Sequence, residues 1–151
     1  MIDKKSFKKS IGIPLEKAGL QKRGQSWYLD GKDAIVFTNL QKSDWGALYY
    51  INIGIWLKSL GDSSLPNENK CHIGFRAESI FPEKRELLFL GCSLDNSTPE
   101  MLSELSEFVK MQLVPFLYDC VDLDKLKKLV SKGILEKGLI MKEARWYLST
   151  K

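Results

Sequence analysis

The stretch Tyr49–Leu57, YYINIGIWL, constrains the rest of the chain more than any other. It is rich in β-branched and aromatic residues, alternates too regularly for a loop, and is far shorter than the ~20 apolar residues of a membrane-spanning helix. A central strand follows. Successive side chains on a strand point to opposite faces, so Tyr49, Ile51, Ile53, Ile55 and Leu57 share one face and Tyr50, Asn52, Gly54 and Trp56 share the other. The first face belongs to a core. The second carries aromatics and an amide and is low at Gly54, so any site is expected beside it.

On either side of this strand the pattern predicts an α+β chain. Phe7, Ile11, Leu15 and Ala18 form a helical stripe behind an Asp3 cap, with Pro14 either kinking the helix or restarting it and Gly19-Leu20 closing it. Lys22, Arg23 and Gly24 read as a polar connection. Strands over residues 27–29 and 34–41 flank Asp30-Gly31, a hairpin signal because both residues tolerate positive φ. Apolar residues on both faces of the second strand mark it as central. After residues 43–46 turn into the Tyr49 strand, residues 61–70 form a polar loop, and 71–77 alternate again with Cys71, Ile73, Phe75 and Ala77 on the core side. The result is an antiparallel meander of four strands, or five if Leu87 to Leu90 form a short strand rather than a buried connection. Helices are expected from Thr98-Pro99-Glu100 to a bend or stop at Pro115, from Asp122 to Gly133, and over residues 140–148. Residues 1–151 read as a single domain, with no internal repeat or linker.

Composition narrows function by exclusion. The charged N-terminus lacks a signal-peptide h-region, so a cytoplasmic setting is expected and a membrane is not. Cys71, Cys92 and Cys120 are odd in number and never spaced as C-x-x-C, which favours buried structural thiols over disulfides or zinc. His72 is the only histidine, which rules out a His-rich metal site; no cofactor is expected. Residues 1–30, 31–120 and 121–151 carry net charges of +4, −4 and +4, basic ends around an acidic middle. The lysines lie on predicted helix exteriors and not in a stripe with exposed aromatics, so a nucleic-acid partner is not expected.

Several of these segments together resemble a known family. They are the helix with Phe7 and Ile11, the turn Gly19-Leu20-x-Lys22-Arg23-Gly24, the Trp27-Tyr28 pair and Gln41-Lys42-Ser43. The strands Tyr50-Ile51-Asn52-Ile53-Gly54-Ile55 and Cys71-x-Ile73-x-x-Arg76 complete the set. The order is similar to that of a bacterial domain-of-unknown-function family, number 4304, over residues 5–130, with Leu20 where that family has Phe. The resemblance implies an α+β fold and a bacterial cytoplasmic setting, and it transfers no mechanism.

If the Tyr49 strand and the 71–77 strand are neighbours, Tyr50, Asn52, Gly54 and Trp56 share the second face with His72, Gly74 and Arg76, and Gln41 or Thr38 joins them according to register. The two glycines leave a trough, and Asn52 and Arg76 suit an amide, carboxylate or phosphate. The competing reading has the glycines making room for Trp56 and Tyr50 to pack, with Arg76 paired to Glu78 or Glu68. Cys71 and His72 are not a catalytic pair if they are sequence neighbours on one strand. Glu100, Glu104 and Glu107 share a helix row with Lys110, the composition of a solvated surface. The residues favour a non-enzymatic, immunity- or adaptor-like module that binds another protein through Tyr50, Asn52, Trp56, His72 and Arg76, with Trp56 exposed. The alternative is a small-ligand or nucleotide-binding domain, even a weak hydrolase, using Asn52, His72 and Arg76.

Overall fold

The computed structural model describes residues 1–61, 65–67 and 70–149. Helix α1 spans Lys4–Lys17 behind Asp3, whose carboxylate accepts from the Ser6 N–H at 3.0 Å. Phe7, Ile11 and Leu15 of its stripe are buried, and Pro14 lies inside without ending it. Proline has no N–H to offer the Ser10 carbonyl. The Ser106 hydroxyl, from a helix far along the chain, takes that carbonyl instead at 2.6 Å. The helix ends at Gly19, whose φ of +100° lets the Leu20 N–H bond back to the Leu15 carbonyl.

Six strands then form one antiparallel sheet in chain order, consistent with an α+β class. They are β1 (Gln21–Arg23), β2 (Ser26–Asp30), β3 (Ala34–Lys42), β4 (Tyr49–Leu57), β5 (Ile73–Arg76) and β6 (Leu139–Ile140). The edges are the two strands that the sequence pattern missed. Residues 21–23 are polar, and pairing with β2 makes them a strand without any burial pattern to announce it. The hairpin at Asp30-Gly31 exists, yet Gly31 does not take positive φ; a Cβ there would overlap the Val121 side chain. Close approach, not turn geometry, calls for that glycine. Of the polar loop expected at 61–70, residues 62–64 and 68–69 lie outside the described residues.

Helices follow β5. The first is α2 (Ala77–Ile80), and α3 (Arg85–Gly91) occupies the segment where Leu87 to Leu90 read as either a short strand or a buried connection. A short apolar run does not distinguish strand from helix. Here Leu88 turns inward, Phe89 is 60% exposed, and Gly91 lies against Leu105. Helix α4 (Pro99–Phe108) starts at Thr98, whose hydroxyl accepts from the Met101 N–H at 3.1 Å. It runs through a π-helical turn (Val109–Leu113) into α5 (Val114–Asp119). The helix does not end at Pro115: the Val114 N–H bonds to the Val109 carbonyl five residues back, and this widened turn takes Pro115 into the start of α5. Helix α6 (Leu123–Ser131) is capped by Asp122. The last helix, α7 (Lys142–Ser149), begins two residues later than expected because Leu139 and Ile140 pair with β5.

The helices bury one face of the sheet. Tyr49, Ile51, Ile53, Ile55 and Leu57 join the core with Phe7, Leu105, Leu113 and Leu117. Ile53→Ala is expected to cost on the order of 2–5 kcal/mol as a buried aliphatic truncation; an unchanged urea midpoint would contradict this facing of β4. Ser106→Ala leaves the Ser10 carbonyl without its partner and is expected to cost about 1–2 kcal/mol in the same assay. No loss there would mean that Pro14 is tolerated for another reason.

Candidate functional site

Strand register arranges the other face of the sheet in rows. Asn39 lies opposite Asn52 and Asn52 opposite Arg76, so β3, β4 and β5 contribute one polar row. The next row is Phe37, Gly54, Gly74 and Leu139, across β3 to β6. A third begins with Ile35 opposite Trp56 and continues in His72, whose ring lies 4.5 Å from the indole. Beyond the polar row, Gln41 lies opposite Tyr50. Rows two residues apart on a strand are about 6.7 Å apart. Nothing comes within 4 Å of the point where a Gly74 Cβ would sit, so a low channel opens at Gly74 between taller neighbours.

That channel is the floor of a groove of about 1080 Å³. Its wall is the segment from Glu136 to Met141. The wall stands close because residue 138 is glycine: a Cβ there would overlap the Gly74 carbonyl and the Phe75 ring. The Met141 N–H also bonds to the His72 carbonyl at 2.9 Å. Leu139, opposite Gly74, is 85% exposed.

The expected site residues separate into two groups. Asn52 and Arg76 line the groove, and Tyr50 stands beside it in contact with Arg76. The Arg76 guanidinium lies 3.7 Å over the centre of the Tyr50 ring. Asn52 Nδ2 donates to Gln41 Oε1 at 2.8 Å, which places Gln41 on this face. Thr38 lies opposite Ile53 on the helix side. No ion pair joins Arg76 to Glu78, and Glu68 lies outside the described residues.

Trp56 and His72, by contrast, are covered. Trp56 is 9% exposed, not the exposed aromatic expected, because it packs with Ile35 and Phe37 beneath Tyr28, Leu65 and Cys71. Gly61 lies directly against its ring. The returning connection from β4 to β5 supplies this cover. Cys71 belongs to the same cluster and not to the main core, since β5 starts only at Ile73 and Cys71 lies before it. The premise that separated Cys71 from His72 therefore does not hold. Cys92 and Cys120 are buried, and burial, reinforced by Glu78, pushes the Cys92 thiol up to about 12.

His72 has a structural task. Its Nδ1 accepts from the Leu57 N–H at 2.9 Å, which requires a neutral ring with the proton on Nε2. Burial lowers its pKa and the Glu143 carboxylate partly opposes this. Among the described residues no group of three or more His, Cys, Asp or Glu could hold a metal ion. Among them, too, no helix is long and apolar enough to cross a membrane.

Fold and groove together define an α+β protein whose open antiparallel sheet carries helices on one face and a groove on the other. The chain belongs to the family described as Domain of unknown function (DUF4304), whose model matches residues 11–119. No curated protein and no solved structure matches the chain. The matched residues include the groove's floor on β3, β4 and β5, whereas β6 and the wall before it lie beyond them.

Sequence alternation reached Asn52 and Arg76 but missed Asn39 as well as Lys137, Leu139 and Met141 of the wall. Gly138 ahead of an apolar triplet was the available signal for an edge strand there.

Because the folded state holds His72 neutral, the unfolded chain binds the proton more readily below the ordinary imidazole value. The stability tied to His72 is full above about pH 6.5 and is lost as pH falls through the lower folded pKa. Urea midpoints of the wild type are expected to fall between about pH 7.5 and 5.5. In His72→Asn, whose side-chain oxygen replaces the Nδ1 acceptor, that fall should shrink. Equal pH dependence in the two proteins would contradict the neutral assignment.

Proposed function

We propose that the protein is a non-enzymatic interaction module that receives an extended segment of another protein in the groove on its helix-free sheet face. The observation that carries this reading is the glycine row, which holds the sheet surface low between the Trp56 cluster and the stacked Tyr50 and Arg76. The open point of the row is Gly74 on β5, with Leu139 of β6 beside it and the buried Phe37 at its β3 end. Amide side chains along its flank suit a peptide backbone, which offers donors and acceptors in alternation.

One observation favours this over a small-ligand or hydrolytic site. The trio needed for the other reading does not converge: His72 is about 13 Å of strand from Arg76, and its Nδ1 is engaged by the backbone.

Gly74→Phe tests the proposal. Its side chain has open space to enter and suits a strand, so stability is expected to hold while the groove is filled. Panning a phage-displayed library of short random peptides should enrich binders on the wild type and lose them on Gly74→Phe, with matching thermal melts. Equal enrichment on both would place binding elsewhere.

A further inference from the structure

The Arg76 guanidinium carbon lies 3.7 Å from the centre of the Tyr50 ring, and none of its five N–H donors meets an acceptor among the described residues. Contact with the ring holds the side chain in place, which lowers the entropy lost when an anion binds. Asn52, directly opposite on β4, is itself held by Gln41, and each amide keeps donor capacity beyond that one bond. The row is thus an ordered set of donors on the flank of the glycine channel.

The surrounding charge has the same sense. Arg76 and Lys137 line the groove, and Glu136, the one carboxylate among its described lining residues, is engaged by Arg145 at 2.8 Å. A neutral peptide carbonyl would leave the guanidinium's charge unmatched. A carboxylate matches both its charge and its fork.

We infer that Arg76, set by Tyr50 and flanked by Asn52, is a carboxylate-reading subsite, and that the segment received by the groove carries an aspartate or glutamate side chain at this position. The inference rests on the reading of the groove as a peptide site and adds the chemistry that selects the peptide. The polar row then supplies selectivity, and the glycine row supplies room for the backbone.

The test uses the peptides that the wild-type protein enriches, measured by fluorescence anisotropy at low and high salt. Enriched sequences are expected to share an acidic residue. Replacing it by its amide, or replacing Arg76 by Gln, should each weaken binding about tenfold or more, and the two changes together should cost little beyond either alone. Arg76 is exposed, so Arg76→Gln should melt with the wild type. Peptides enriched without an acidic residue, or affinities indifferent to Arg76→Gln, would overturn the subsite and leave the groove reading standing. Failure of the wild type to enrich any peptide would overturn both.

Discussion

The pairing of β3 with β4 is the constraint on which the rest depends. Each strand is nine residues long, and their register runs unbroken from Ala34 opposite Leu57 to Lys42 opposite Tyr49. Both strands are apolar toward the helices, which fixes that register: a slip of one residue would turn Ile51, Ile53 and Ile55 outward. The same pairing sets Asn39 beside Asn52 and Phe37 beside Gly54. Core and groove are therefore two consequences of one alignment. Burial on the helix side stabilises the register, and the register builds the rows on the opposite face.

Elements whose determinants are local were legible in the sequence. Asp3, Thr98 and Asp122 each cap the helix that follows, and each does so through its own side-chain oxygen. The alternation of β4 is equally local. What was not legible depended on distant partners. Pro14 sits comfortably in α1 because Ser106 serves the Ser10 carbonyl, and no spacing within residues 1–20 encodes that. Strands β1 and β6 exist through pairing with β2 and β5, and α3 is a helix because Leu88 has a core to face.

The site divides along the same line. Alternation alone brought Tyr50, Asn52 and Arg76 to one face, and register chose Gln41 over Thr38. Trp56 lies on that face too, but a connection carrying Leu65 and Cys71 folds over it and makes a small second core. The sequence around them is polar and rich in turn formers, so its composition announces a loop and not that Leu65 and Cys71 cover an aromatic cluster. The wall of the groove also comes from far away: Gly138 brings a C-terminal segment against Gly74 and Phe75. That segment lies beyond residues 11–119 matched by the family, which places the floor and the wall on different parts of the chain.

The central claim is the proposal that the sheet face opposite the helices, low at Gly74 and lined with amides, holds an extended chain. Backbone amide chemical-shift mapping, with a groove-binding peptide added to isotopically labelled protein, tests it most directly. The account predicts that the amides of Asn52, Gly54, Gly74, Arg76 and Leu139 shift together, while those on the outer faces of α1 and α4 stay in place. Shifts gathered on the helices or on the turn between β3 and β4, with the groove amides unmoved, would contradict it.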